Sequence, residues 1–217
     1  MASAVFGAII EVRDVVLAQV VARRRLQAGA CTERRSSVPR PLREGQLRMS
    51  VTEQYLANNR AYASRFTGPL PMEPSKHVAV VTCMDARLNI YAALGLKEGE
   101  ASVIRNAGGV ITDDVIRSLA VSQQLLGTNE IILIHHTDCR MLTYPGFRLK
   151  KPILSEQGLR PLWPEESFHD VEVDVRRSIS RVKSSPYLPH RESVRGFVLN
   201  VATGQLEEVT QHVAGEP

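Results

Sequence analysis

Only three cysteines occur in the 217 residues. Cys31 stands alone near the start and the other two fall in motifs that read as metal ligands, so no disulfide framework is expected. That scarcity fits a reducing compartment, and the cytoplasm is the expected location. No uninterrupted apolar run reaches the roughly 18 residues a membrane span needs, so a spanning helix is not expected. An excess of one charge is also lacking where it would matter. The formal net charge is +4, but residues 1–48 hold nine arginines against four acids, and the remainder has 18 basic against 19 acidic residues. A nearly neutral body gives no electrostatic footprint for nucleic acid. Repeats and low-complexity tracts are absent from that body. At 43% apolar content it can bury a full core as one domain.

What is present concentrates in two short motifs. Cys83-Met84-Asp85-Ala86-Arg87 and His136-Thr137-Asp138-Cys139 each follow an apolar run that reads as a buried parallel strand. Both motifs then sit at strand ends, where ligands collect in open α/β sheets at the point where strand order reverses. Two thiolates and an imidazole suit zinc, and three protein ligands leave a fourth position open. Neighbouring strands lie about 4.7–4.9 Å apart. Zn–S and Zn–N bonds of about 2.3 and 2.0–2.1 Å therefore let Cys83, His136 and Cys139 meet at one ion. Singly, each cysteine reads as a small buried hydrophobe and His136 as a satisfied core histidine; jointly they point to one zinc per subunit. His135 should face the opposite side of its strand and is left out of the metal set. Asp138 reads either as a hydrogen-bond partner for backbone or the second imidazole nitrogen, or as a turn former.

The chain changes character at Met49. Residues 1–48 run from an apolar stretch through Arg23-Arg24-Arg25 into a Pro/Arg/Ser-rich segment, and read as a basic N-terminal extension, either an appendage or an upstream stretch before a start at Met49. Glu11 and Asp14 argue against a secretory signal. Residues 49–217 form the expected zinc-binding domain. Ser50-Val51-Thr52-Glu53 is a capping box opening a helix with Tyr55, Tyr62 and Phe66 on roughly one stripe. Strands are expected over Val78 to Thr82, Ala101 to Arg105 and Glu130 to His135, with a helix from Asp113 to Leu126 stopped by Gly127. Tyr144-Pro145-Gly146 reads as a turn, Val171, Val175, Ile179 and Val182 mark a later helix, and Gly196 to Val201 with Gln205 to Val209 reads as a hairpin at the sheet edge. Alternating strands and helices imply an α/β fold with a central, mainly parallel sheet.

Three motifs in order, Cys83-Met84-Asp85-Ala86-Arg87, Ile104-Arg105-Asn106-Ala107-Gly108-Gly109 and His135-His136-Thr137-Asp138-Cys139, resemble those of the beta-class carbonic anhydrases. The resemblance runs from about Met49 to the C-terminus. It implies a four-stranded parallel core flanked by helices with an added C-terminal edge strand, zinc on Cys83, His136 and Cys139, and a homodimer or dimer of dimers whose N-terminal helix embraces a partner. The activity implied is reversible hydration of carbon dioxide to bicarbonate and a proton by a zinc-activated hydroxide. Some relatives hydrolyse carbonyl sulfide or carbon disulfide instead.

The same resemblance pairs Asp85 with Arg87. Asp85 can either take the fourth zinc position and block the site, or swing to the fixed guanidinium fork of Arg87 and let water bind. Arg140 departs from the pattern, since relatives carry glycine after the second cysteine. A cation about 6 Å from the nucleophile contributes on the order of 2–3 kcal/mol at an effective dielectric near 20. Alternatively Arg140 crowds the crevice, strains a backbone that requires positive φ, or points outward. Gly108 and Arg140 are the expected substrate-side residues, the paired glycines Gly108-Gly109 permitting close backbone approach or serving only the turn. Two competing readings are a zinc-linked regulatory dimer without activity, which Arg140 favours, and a redox protein using Cys83 and Cys139, which leaves His136 without a task. A cysteine phosphatase is excluded, because Arg87 follows Cys83 too closely.

Overall fold

A computed structural model describes residues 50–143 and 147–210. The basic extension and the Tyr144-Pro145-Gly146 turn lie outside the described residues. The chain divides into two compact units between Phe66 and Thr67.

In the first unit, α1 (Val51–Ala63) opens on the expected capping box, in which Glu53 N donates to Ser50 Oγ at 3.1 Å and Ser50 N donates to Glu53 Oε2 at 2.8 Å. Phe66 falls beyond the last helical residue, and its ring lies 5.7 Å from that of Tyr62. No residue of α1 is buried.

The second unit is built on a five-stranded sheet. Its strands are β1 (Val78–Cys83), β2 (Ala101–Asn106), β3 (Glu130–His136), β4 (Val194–Leu199) and β5 (Leu206–Glu208), in the order β2-β1-β3-β4-β5. The first four are parallel and β5 is antiparallel to β4. Val78 to Cys83 is apolar throughout because β1 is buried on both faces. On one face Ala79, Val81, Leu133 and Ile131 pack against α3 (Asp113–Leu126) and α6 (Val171–Ser184). On the other, Val80 and Ile134 meet Leu88, Ile90 and Phe168, and this is the layer that contains Cys83 and Cys139.

The expected stop of α3 at Gly127, in the left-handed conformation, is borne out, and side-chain caps at Thr112 and Asp170 open α3 and α6. Asp170 caps α6 through Val173 N at 2.9 Å. Gly196 lets α6 approach β4, since a Cβ there would sit 2.8 Å from Ile179 Cδ1.

Three helices were not expected: α2 (Ile90–Leu94), α4 (Arg140–Thr143) and α5 (Phe147–Gln157). The first two are too short to show a helical repeat, and Pro152 sits inside the third. β4 starts two residues before its expected first residue, and β5 is reduced to three residues. Among the described residues no helix is long and apolar enough to cross a membrane.

Candidate metal centre

The strand order 2-1-3-4 reverses between β1 and β3, and the two strands part there. Their ladder ends at Thr82↔Ile134, after which Cys83 pairs with Asn106 of β2 and His136 with Leu199 of β4. Cys83 and His136 therefore flank the crevice from its two walls. Cys139, at the start of α4, comes in from the loop after β3.

The three ligand atoms lie within 4.8 Å of one another, and all three residues are buried. Cys83 Sγ and Cys139 Sγ are 4.0 Å apart. Two sulfurs bound tetrahedrally at about 2.3 Å would stand about 3.8 Å apart, so the spacing suits one ion. His136 Nδ1–H donates to Thr137 O at 2.9 Å, which leaves Nε2 as the acceptor nitrogen. That Nε2 is buried with no hydrogen-bond partner. An orphaned buried acceptor is costly unless its lone pair is used, and a metal between it and the sulfurs uses it. The donor set fits a soft divalent cation.

Electrostatics prepare the same site. The Cys83 thiol is pushed down to about 4, first by the hydrogen bond from Cys139, against the opposing effect of burial, with His136 and the backbone N–H groups of Asp85 and Gly108 also favouring the thiolate. Cys139 is pushed up by Cys83 and by burial. Burial opposes the charged form of His136, but the Cys83 sulfur beside it outweighs this and raises the imidazole above its ordinary value.

Asp85 lies on the rim of this cradle, Oδ2 being 3.9 Å from His136 Nε2. Arg87 holds it with a two-pronged grip: Nε donates to Oδ1 at 3.0 Å and Nη2 to Oδ2 at 2.8 Å. The Arg87 backbone N–H adds a bond to Oδ1 at 2.9 Å. These contacts hold the Asp85 carboxyl well below the usual carboxylate range.

Arg87 is in turn shared. Its Nη1 donates to Asp138 Oδ2 at 2.7 Å and its Nη2 to Asp138 O at 3.0 Å. Asp138 thus pairs with Arg87 and does not touch the imidazole, whose second nitrogen is taken by Thr137 O.

Asp138 is also where the loop takes a positive φ, of 53°. Aspartate tolerates that conformation. Arg140 is helical and exposed, so no glycine is required there.

Gly109 does need to be glycine. Its φ is +72°, and a Cβ would lie 2.9 Å from Cys83 N and 3.0 Å from Thr82 C. At Gly108 a Cβ would sit 3.1 Å from Met141 Cγ and 3.3 Å from Phe168 Cε1, while its amide reaches the Cys83 sulfur.

Arg105 had no assigned role from the sequence. It donates from Nε to Cys83 O at 3.0 Å and from Nη2 to Asp85 O at 2.7 Å, bracing the loop between Cys83 and Asp85. Its place at the end of the strand beside β1, within the second motif, was the available clue.

A mainly parallel sheet flanked by helices, with a buried Cys-His-Cys cradle at its switch point, defines an α/β protein with a candidate metal site. Residues 78–206 match the carbonic anhydrase family. A stretch of 162 residues is 62% identical to Beta-carbonic anhydrase 1 of Mycobacterium tuberculosis, covering 75% of this chain and 99% of that protein. Carbon disulfide hydrolase of an Acidianus species is 32% identical over 179 residues, 71% of this chain and 87% of that one. The crystal structure of carbonic anhydrase from Streptococcus mutans matches with a TM-score of 0.70 at 40% identity, over 75% of this chain and 99% of that chain. The chain belongs to the carbonic anhydrase family.

Proposed function

We propose that this chain catalyses the reversible hydration of carbon dioxide to bicarbonate and a proton, with one zinc ion per subunit on Cys83, His136 and Cys139. The observation that carries this reading is the partnerless His136 Nε2 beside two sulfurs 4.0 Å apart, in a chain so similar to a mycobacterial beta-carbonic anhydrase. When bound, zinc lowers the pKa of a water molecule and thereby supplies the nucleophile. The residues of the chain do the rest. Arg87 holds the Asp85 carboxylate on the rim of the cradle, where it would stay clear of a bound metal and accept a hydrogen bond from the reacting water. Asp138 anchors Arg87 from the far side, and Gly108 shapes the approach to Cys83. Arg140, exposed at the start of α4, adds positive charge near Asp138.

Stopped-flow hydration of carbon dioxide from about pH 6.5 to 9 tests the reaction on the parent and on Arg140→Gly. Activity is expected in both, and none at any pH with full zinc occupancy would remove the enzymatic reading. Because Arg87 depresses Asp85, their ion pair is fully present above the ordinary carboxylate pKa and is lost only as pH falls through the depressed value. Asp85 should therefore contribute no inflection in that window. Arg87→Ala frees Asp85 to reach the metal and should lower turnover about 10- to 100-fold. Unchanged turnover would refute the gate.

Hydrolysis of carbon disulfide or carbonyl sulfide is the second reading, supported by the similarity to carbon disulfide hydrolase. It ranks below because identity to that relative is 32% against 62% for the mycobacterial carbonic anhydrase. Assay with both substrate classes separates the two. We place the protein in the cytoplasm as a homodimer or dimer of dimers. The scarce cysteines and the exposed Tyr55 and Leu56 of α1 support that placement.

A further inference from the structure

β3 ends on two consecutive histidines that project to opposite faces of the sheet. His136 faces the metal cradle, and His135 faces α6 with no exposed surface. There His135 Nε2 donates to Asp174 Oδ2 at 2.8 Å, and the Asp174 side chain is only 1% exposed. Arg177, one turn further along α6, forms an ion pair with the other carboxylate oxygen and extends to solvent. The Phe168 ring packs at 5.6 Å from the imidazole of His135. The layer around this chain of groups is otherwise apolar, with Leu133, Val175 and Ile179. Buried polar chains of this kind are often no more stabilising than well-packed apolar residues. What this one supplies is direction, because a hydrogen bond fixes a ring that packing alone would allow to turn.

The end of β3 needs that direction. The ladder with β1 stops at Thr82↔Ile134, so His135 and His136 are paired only with β4. Beyond the hydrogen bond that Thr82 Oγ1 donates to Ile134 O at 3.0 Å, the backbone leading into His136 is held by β4 alone. We infer that Asp174 is a positioning residue for the metal ligand His136: by fixing the ring of His135 it fixes the peptide plane between the two histidines and so aims His136 at the crevice. This rests on reading Cys83, His136 and Cys139 as the zinc ligands.

The test uses the full chain loaded with zinc, and a second preparation loaded with cobalt(II). Zinc release to a chelator is timed, and the visible cobalt bands are recorded, for the parent, Asp174→Ala, Asp174→Asn and Arg177→Met. Asp174→Ala should release zinc about 10- to 100-fold faster, with shifted or weakened cobalt bands. Asp174→Asn keeps an acceptor oxygen and should recover most of the loss, and Arg177→Met should fall between. Unchanged release and unchanged bands in Asp174→Ala, even with a lower Tm, would overturn the inference, since a residue that merely fills the core lowers stability alone. Should Asp174→Ala fail to fold, release unchanged in both milder variants overturns it equally. A parent that binds neither metal removes the inference together with the zinc reading. Release altered as expected in a parent without hydration activity upholds the positioning role and overturns only the reaction.

Discussion

Cys139→Ser is expected to reduce zinc from about one equivalent per subunit to below about a tenth, and to lower carbon dioxide hydration about a thousandfold or more. Serine nearly matches cysteine in volume, so the core around this buried position loses little packing and the change isolates ligation. Loss of one soft ligand of three, at about 4 kcal/mol, corresponds to about three orders of magnitude in affinity. Elemental analysis, stopped-flow rates and a thermal melt on the same preparation check all three statements. Full occupancy with parental turnover would remove Cys139 from the ligand set.

Among the described glycines, Gly109→Ala should disrupt the backbone most. The added Cβ would meet backbone atoms, not movable side chains: Cys83 N at 2.9 Å, Thr82 C at 3.0 Å and Ile134 O at 3.2 Å. It would also have to adopt a φ of +72°, which L residues disfavour. Strain and overpacking together should cost about 2–5 kcal/mol, which for a domain of this size lowers Tm by about 5–15 °C. Relief of the clash requires the end of β1 to move, and Cys83 with it, so zinc affinity should fall alongside stability. Gly158→Ala is the control, with a positive φ of 66° but no atom within 4 Å. It should lower Tm by only a few degrees and leave zinc content unchanged. Equal zinc retention in both variants would mean that Gly109 serves the turn alone.

The framework of the site is legible in the sequence because its parts are local. Continuous apolar runs reveal buried parallel strands, and a cysteine or histidine at the end of such a run is placed by that fact alone. Alternation along β3 separates His135 from His136 without any tertiary information. What was not legible depends on contacts across the chain. Arg87 and Asp138 are 51 positions apart, and His135 and Asp174 are 39. No periodicity or spacing couples residues at such distances. Asp174 is one of two acids in the first turn of α6, and only the packing of that helix on the sheet shows it to be buried. Arg140 drew attention for its bulk and charge, yet the unusual backbone falls two residues earlier, at Asp138. Backbone conformation in a short loop depends on the contacts that close it, and these include the pull of Arg87 on Asp138.

The two sulfurs of the cradle are separated by 56 positions, with two strands and two α-helices folded between them. No short peptide from this chain can reproduce the binding site, and a partly folded chain in which β1 and β3 have not yet paired offers at most scattered donors. An ion held there would therefore discriminate between conformations: its occupancy would report completed assembly of the central sheet, and its free concentration would add to the cohesion of the native state through mass action.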